Sequence, residues 1–147
     1  MTDKDKNMSA DIGKLLLSPT RTYAPVIKKI IEKIGVKNIN GIIHCSGGAQ
    51  TKVLHFLNDN LHVTKDNLFE PPYIFKLIQS ESNTSWKEMY KVFNCGHRME
   101  LYVNKEFASD IIQISNSFEI QAKVIGRVEK SNAKKLTIKS KFGEFNY

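Results

Sequence analysis

The spacing of apolar residues after position 22 is the feature that most constrains how this 147-residue chain can fold. Apolar side chains recur there at intervals of three and four residues, at Tyr23, Val26, Ile27, Ile30, Ile31 and Ile34. This rhythm places them on one face of a helix, which predicts an amphipathic helix packed against another layer. Thr22 can cap the start of this helix, Pro25 suits its first turn, and Gly35 suits its end.

The rest of the chain mixes strand and helix patterns without strict alternation. Short apolar or alternating runs predict strands over residues 40–45, 61–66, 98–104, 120–129 and 135–140. Helical spacing predicts helices over residues 50–57, 71–79, 85–93 and 105–115. The last two strands are expected to pair with each other as a hairpin, because only a polar turn separates them. The mixture predicts an α+β fold, in which a mixed β-sheet is covered by helices.

Two of the predicted helices begin with residues that suit a helix N-terminus. Ser85 and Glu88 have the spacing of a capping box, in which the hydroxyl binds a backbone N–H of the first turn. Asn104 precedes the last predicted helix and can cap it in the same way.

Length and composition fit one globular domain of ordinary polarity. Hydrophobic residues make up 41% of the chain and charged residues 25%, so the core needs no disulfide or structural metal. Residues 1–16 begin with a polar, aperiodic run and are expected to be a linker or disordered segment, with the domain over residues 17–147. The polar start is no secretory signal, and no apolar run is long enough to span a membrane. A cytoplasmic location with two reduced cysteines, Cys45 and Cys95, is therefore expected.

The net charge of +7 raises the question of a nucleic-acid partner. Only three of the 22 basic residues are arginines, and the lysines are spread over almost the whole length among 15 acidic residues. Nucleic-acid-binding surfaces tend to cluster their basic side chains and to use the arginine fork. Nucleic acid is therefore an unlikely partner, whereas an anionic small molecule would suit this charge.

Two adjacent glycines, Gly47 and Gly48, interrupt the chain between a predicted strand and a predicted helix. At such a junction the backbone N–H groups of Ser46, Gly47 and Gly48 can converge on an anion, aided by the helix dipole and the serine hydroxyl. This arrangement predicts a phosphate-binding turn. The alternative is a tight turn that binds no ligand, because two glycines match neither a Walker loop nor a dinucleotide fingerprint.

Two further stretches contain candidate binding residues. Asn94 and Gly96 lie at a helix-to-strand junction, where the amide can bind a polar group and the glycine permits close approach. The alternative is a helix C-terminal turn in which both residues serve conformation only. Arg21 directly precedes the first long helix and can reach an anion there, and its alternative is an ordinary exposed arginine.

Four residues have the side chains of a zinc site but not its spacing. His44, Cys45, Cys95 and His97 supply two imidazoles and two thiols. Adjacent strand residues such as His44 and Cys45 point to opposite faces, so we expect no metal site. His44 is either a polar residue of a cleft or a histidine satisfied within the core.

Taken together, these stretches resemble the C-terminal domain of phosphoribosylformylglycinamidine cyclo-ligases, also called AIR synthetases. That family has a Leu–x–Pro–Thr–Arg–x–Tyr segment, which residues 17–23 match. It has His–x–Thr–Gly–Gly–Gly, which residues 44–49 resemble, and Glu–Met–Tyr–x–x–Phe–Asn–Met/Cys–Gly, which residues 88–96 match. A Pro71–Pro72 pair and an Ile–Gly–x–Val segment at 125–128 also fit, and the motifs occur in the family's order.

The sequence departs from the family pattern at two of these motifs. Ser46 replaces threonine and keeps the hydroxyl, and Ala49 replaces the third glycine. His97 and Arg98 stand where the family usually has a small apolar residue and glycine. This second departure is expected to place a new cation near the cleft.

The resemblance implies an activity that uses ATP and magnesium. The family phosphorylates the formamide oxygen of formylglycinamidine ribonucleotide, and an internal amidine nitrogen then closes the imidazole ring of aminoimidazole ribonucleotide. Its N-terminal domain supplies most of the ATP and magnesium binding and the core of a homodimer, and its C-terminal domain closes the cleft. The isolated chain is therefore expected to fold, to hold no tight cofactor and to be inactive.

The resemblance also implies roles for individual residues. It implies catalytic roles for His44 and Asn94, and a substrate- or phosphate-binding role for Arg21, Ser46, Gly47, Gly48 and Gly96. The alternatives are another ATP-using relative, of the selenophosphate synthetase, thiamine-phosphate kinase or hydrogenase maturation type, or a non-catalytic module that binds nucleotides or RNA.

Overall fold

A computed structural model describes residues 12–17, 19 and 21–147 of the chain. Its α-helices are α1 (Ile12–Leu16), α2 (Ala24–Ile34), α3 (Tyr73–Ser82), α4 (Trp86–Val92) and α5 (Ala108–Ser117). Its strands are β1 (Ile39–His44), β2 (Leu61–Lys65), β3 (Met99–Val103), β4 (Gly126–Lys130), β5 (Lys135–Ser140) and β6 (Gly143–Asn146). Within the described residues, short 3₁₀ helices occupy Val36–Asn38, Ala49–His55 and Lys105–Phe107.

Helix α2 has the buried face that its apolar rhythm predicts. Val26, Ile30 and Ile34 are buried, and they pack in one cluster with Ile111 of α5. The expected cap by Thr22 is wrong, because the N-cap position falls on Tyr23 and no side chain caps the helix. The end of the helix at glycine is confirmed, since Gly35 has a φ of 79°.

The strands form two sheets, and one pairing differs from the expected one. Strands β1 and β3 pair antiparallel, and the second sheet has the order β4–β2–β5–β6. The expected hairpin between residues 120–129 and 135–140 is wrong, because β2 lies between β4 and β5 and runs parallel to β5. Strand β5 instead forms its hairpin with β6, which the sequence patterns did not predict.

Burial explains this order of strands. Three successive residues of β2 and three of β5 are buried, whereas four of the five residues of β4 are exposed. The two most buried strands thus occupy the centre of the sheet, and β4 takes an edge. The predicted fold class is confirmed: the chain has an α+β fold with a mixed β-sheet and helices.

The remaining helix ends follow the sequence signals in one case and depart from them in others. The Ser85 hydroxyl accepts a hydrogen bond from the N–H of Glu88, which confirms the predicted cap of α4. Asn104 makes no such bond, so that cap is wrong, and a 3₁₀ turn precedes α5. The helix expected over residues 50–57 is a 3₁₀ helix, Ala49–His55, which begins after the left-handed Gly48.

Two apolar clusters hold the fold together. One joins the four-stranded sheet to α4 and the 3₁₀ helix 49–55, and it contains both free cysteines, Cys45 and Cys95. The other packs α2 and α5 on the β1–β3 sheet. A one-turn helix, α1, lies within the segment expected to be a linker, of which residues 1–11 lie outside the described part, and the boundary at residue 16 stays a prediction. None of the helices described is long and apolar enough to cross a membrane.

Candidate functional site

The glycine turn directly follows β1 and leaves two of its backbone amides free. The N–H of Ser46 donates to the carbonyl of His44 (N to O, 2.8 Å), and the N–H of Ala49 donates to the carbonyl of Ser46 (2.8 Å). The N–H groups of Gly47 and Gly48 donate to no residue in the part of the chain that the structure describes. Of the three amides expected to converge on an anion, only two therefore have a free N–H group, because the Ser46 amide is bonded within the turn.

The backbone conformation requires glycine at only one of the two glycine positions of this turn. Gly48 has a φ of 83°, a left-handed conformation that side chains rarely adopt. Gly47 lies outside that region, and a Cβ atom built on it would meet no atom within 4 Å. The fold thus requires glycine at 48 but not at 47. What glycine provides at 47 is open access to a backbone amide.

Lys52 places a positive charge on this turn, and the sequence motifs did not point to it. Its Nζ atom lies 2.7 Å from Ser46 Oγ and 3.1 Å from the carbonyl oxygen of His44. Helical side chains lean toward the N-terminus of their helix, so a lysine on the first turns of a helix can return to its start. Lys52 stands four residues after Gly48, and this spacing is the sequence signal that could have identified Lys52 as a neighbour of the turn.

The ring of His44 brings the Pro–Thr–Arg–x–Tyr motif next to the glycine turn. The centroids of the Tyr23 and His44 rings are 6.4 Å apart. His44 is exposed at the end of β1 while Cys45 is buried, so the prediction that they face opposite sides is confirmed. A core position for His44 is therefore excluded. Arg21 is exposed and forms no hydrogen bond or ion pair with any described residue.

The Asn94–Gly96 turn is held by bonds that explain both residue types. Asn94 Oδ1 accepts a hydrogen bond from the N–H of Gly96 (2.9 Å). Gly96 has a φ of 99°, and a Cβ atom there would lie 3.0 Å from Cδ of Pro72. Both residues thus serve the conformation of the turn and its contact with the proline pair. Their part in substrate binding stays a prediction.

A buried polar network connects the two turns, and sequence patterns gave no sign of it. Gln50, which is completely buried, donates from Nε2 to the carbonyl of Asn94 (2.8 Å). Lys65 Nζ donates to the carbonyl of Gln50 (2.8 Å), to Gln50 Oε1 (3.1 Å) and to Glu100 Oε1 (2.5 Å). Glu100 Oε2 accepts from the hydroxyl of Tyr102 (2.7 Å). All of these polar atoms are satisfied within the protein.

Burial suppresses the reactivity of both cysteines. It raises the pKa of the Cys45 thiol to about 12, with the Glu100 carboxylate as the next cause, and it raises the pKa of Cys95 to about 12. A thiol acts as nucleophile or metal ligand in its ionised form, so neither residue is poised for such chemistry at neutral pH. Among residues 12–17, 19 and 21–147, no group of three His, Cys, Asp or Glu side chains could hold a metal ion.

The departure from the family pattern at residues 97 and 98 contributes one cation. His97 is buried, and its Nε2 atom accepts a hydrogen bond from the N–H of Phe69 (2.9 Å). Burial is the main cause that lowers the pKa of His97 to about 4, so this side chain is neutral at neutral pH. Arg98 is exposed on the wall of the cleft and is the cation that this departure adds.

A large cleft lies beside these motifs. It has a volume of about 1150 Å³, and its walls come from α2, both sheets and α5. Tyr23, Gly96, His97 and Lys65 contribute to its lining, whereas the residues of the glycine turn do not. The structure therefore gathers the motifs at one end of β1 and β3, with the glycine turn outside the cleft.

A sequence profile described as "AIR synthase related protein, C-terminal domain" matches residues 2–139. The chain belongs to this family. Among curated AIR synthase relatives, the phosphoribosylformylglycinamidine cyclo-ligase of Methanococcus vannielii is 42% identical over 114 residues, which are 78% of this chain and 32% of that protein. The enzyme of the same name from Syntrophus aciditrophicus is 31% identical over 138 residues, 92% of this chain and 39% of that protein.

A solved structure shows the same fold. A chain of the HypE–HypF complex superposes with a TM-score of 0.61 at 16% identity, over 92% of this chain and 46% of that chain. At this identity the likeness concerns the fold of the AIR synthase-related domain. The present chain spans between about a third and two fifths of the length of the curated relatives reported above.

Proposed function

We propose that this AIR synthase-related domain is the substrate-binding C-terminal part of a phosphoribosylformylglycinamidine cyclo-ligase. That enzyme is an ATP-dependent ligase of purine biosynthesis, and it converts formylglycinamidine ribonucleotide to aminoimidazole ribonucleotide. The family match and the names of the relatives support the enzyme class. The observation that carries the role of this domain is the pair of free amides at Gly47 and Gly48 beside the ammonium of Lys52.

The glycine turn is the proposed phosphate subsite. The N–H groups of Gly47 and Gly48 and the ammonium of Lys52 are donors suited to a phosphate dianion. Hydrogen bonds to charged groups contribute about 1.5–3 kcal/mol each, so two or three of them suffice for a specific contact. The open space around Gly47 supports this role, because no side chain blocks the approach of the ligand.

Three further residues contribute to the proposed site. Arg21 is free of protein partners among the described residues and lies two positions before Tyr23, whose ring contacts His44. Its guanidinium can therefore add charge for an anionic substrate. The exposed imidazole of His44 can bind a polar substrate group. Asn94 uses Oδ1 within its turn, which leaves Nδ2 as the donor that can orient the substrate.

ATP and magnesium are assigned to the other domain of the enzyme. ATP supplies the phosphoryl group that activates the formamide oxygen. The matched relatives extend well beyond the part that this chain spans. We therefore infer that the partner of this chain is the N-terminal ATP-binding domain within a homodimeric enzyme, and that this chain binds and orients the ribonucleotide.

Calorimetry with formylglycinamidine ribonucleotide tests the proposal. The ribonucleotide is expected to bind the chain at least tenfold more tightly than the matching nucleoside, because the nucleoside lacks the phosphate. Gly47→Val should remove this difference, while Lys76→Met, which removes an exposed lysine paired with Glu70, should keep it. Equal binding of nucleotide and nucleoside by the unaltered chain would contradict the phosphate subsite.

Two assays separate this function from the alternatives. The isolated chain should show no ATP-dependent ring closure, so turnover by pure material would show that it is more than a half-site. RNA binding should weaken steeply as salt rises, with a slope set by the number of phosphates contacted. A ribonucleotide monophosphate should compete with formylglycinamidine ribonucleotide if the chain is a domain of the purine enzyme, and it should not displace RNA from an RNA-binding module.

A further inference from the structure

Lys65 is a buried cation with no free donor. It ends β2, is 1% exposed, and points its ammonium into the protein. An ammonium has three N–H donors, and the three acceptors around it are the carbonyl of Gln50, Gln50 Oε1 and Glu100 Oε1. All three N–H donors of the ammonium are thus bonded to protein groups. Lys65 can therefore influence a ligand only through the residues that it holds in place.

The acceptors of Lys65 belong to the elements that carry the proposed site. Gln50 follows the glycine turn after a single residue, and its Nε2 atom holds the carbonyl of Asn94 in the second turn. Glu100 lies on β3, next to Met99, which pairs with His44 at the end of β1. One ammonium therefore links the four-stranded sheet to the two-stranded sheet and, through Gln50, to both turns.

Stability alone gives a weak reason for such a group. Burial of an ion pair costs desolvation that its attraction often only balances, and apolar replacements of similar volume are commonly as stable. A fully satisfied buried network does fix one arrangement of the elements that it joins. What distinguishes this network is that it joins the Gly47–Gly48 turn to the Asn94–Gly96 turn.

Building on the proposed function, we propose that Lys65 is a positioning residue for the substrate. Together with Gln50, it sets the distance between the Gly47–Gly48 turn and the Asn94–Gly96 turn. A ligand that carries a phosphate at one end and a polar group at the other requires this distance to be fixed. A ligand that contacts the glycine turn alone does not.

Two variants test this inference. Lys65→Met combined with Glu100→Gln removes both buried charges, so that no uncompensated carboxylate remains. Gln50→Met keeps the ion pair and a side chain of similar volume but breaks the link to Asn94. Lys139→Met is the matched control, because it removes a lysine on the neighbouring strand that forms an exposed ion pair with Glu144.

The first measurement needs no ligand. In amide NMR spectra, both test variants should shift the signals of Gly47, Gly48 and Gly96 relative to the unaltered chain, and Lys139→Met should not. If the double variant does not fold, Gln50→Met decides the question alone. A folded Gln50→Met variant with unchanged signals at both turns would overturn the inference.

The second measurement compares two probes, inorganic phosphate and formylglycinamidine ribonucleotide. Each folded test variant should bind the ribonucleotide at least tenfold more weakly while its phosphate affinity changes less than threefold. A merely structural defect would weaken both probes alike, and that outcome would overturn the positioning role. If the unaltered chain binds neither probe, the proposed function fails. The comparison of amide signals then still tests whether Lys65 and Gln50 link the two turns.

Discussion

The ammonium nitrogen of Lys52 lies 2.7 Å from the hydroxyl oxygen of Ser46, which places a positive charge on the glycine turn. The same atom lies 3.1 Å from the carbonyl oxygen of His44. Within the described part of the chain, Lys52 faces no carboxylate, unlike the lysines that form ion pairs with Glu70, Glu88 or Glu144. Its charge therefore remains available to an anion.

Lys52→Met should weaken the binding of inorganic phosphate about tenfold, which corresponds to about 1.4 kcal/mol. The free energy of unfolding should change by no more than about 0.5 kcal/mol, because the contacts of Lys52 are exposed and carry no buried charge. Calorimetric titration and urea unfolding measure the two quantities. Lys76→Met changes the net charge equally at a lysine that pairs with Glu70 and not with the glycine turn, and an equal loss of affinity in that variant would show that only overall charge matters.

Substitutions at Gly47 and Gly48 should separate an effect on phosphate binding from an effect on backbone conformation. Gly47→Val should leave the unfolding midpoint nearly unchanged, since a Cβ atom meets nothing within 4 Å, but it should weaken phosphate binding. Gly48→Val should cost about 1–3 kcal/mol of stability, because valine is strained at a left-handed φ. Urea unfolding together with a phosphate titration compares them. A Gly47→Val variant with unaltered affinity would remove the turn from the proposed site.

Local patterns predicted the elements of this fold better than their pairing. The apolar rhythm of α2 and the Ser85 cap of α4 are properties of neighbouring residues, and both are confirmed. The partner of β5 depends instead on which strands are most buried in the assembled sheet. That is a non-local property, so the expected hairpin failed although its second strand was found over residues 135–140 and its first in part, over residues 126–130.

In the candidate site, too, local patterns located some residues and missed those that depend on tertiary contacts. Motif spacing located the glycine turn, and the contact between Tyr23 and His44 brings a second motif beside it. Gln50 and Lys65 were missed because nothing in their immediate sequence marks them, whereas Lys52 could have been found from its position four residues after Gly48. Lys65 ends a strand whose pattern fits an exposed lysine equally well, and only its tertiary partners show that it is buried.

Gly126→Ala should destabilise the four-stranded sheet. A Cβ atom at Gly126 would lie 2.0 Å from the carbonyl oxygen of Thr64, so the backbones of β4 and β2 would have to separate. Overpacking of this kind costs about 1–3 kcal/mol or more, and urea unfolding measures it. Gly47→Ala is the matched control, with an expected change below about 0.5 kcal/mol. Equal stability of the two variants would show that β4 moves away at little cost.

His97 should make stability depend on pH in a predictable direction. Burial lowers its pKa in the folded state to about 4 from an ordinary value of 6.5, against the raising effect of Glu100 and with the lowering effect of Lys65 and Lys123. Between these pH values the unfolded chain binds a proton that the folded chain does not. The contribution of neutral His97 to the free energy of unfolding is therefore complete above pH 6.5. It decreases as the pH falls toward 4, by about 3 kcal/mol in total.

His97→Gln provides the comparison, since the amide oxygen of glutamine can accept the N–H of Phe69 but does not titrate. The difference in unfolding free energy between the unaltered chain and the variant, measured in urea at several pH values, cancels the carboxylates that both proteins share. This difference should be constant above pH 6.5 and should shift steadily in favour of the variant below it. A difference that stays constant down to pH 4 would mean that the imidazole is protonated as easily in the folded chain as in the unfolded one, and His97 would then not be a neutral acceptor for Phe69.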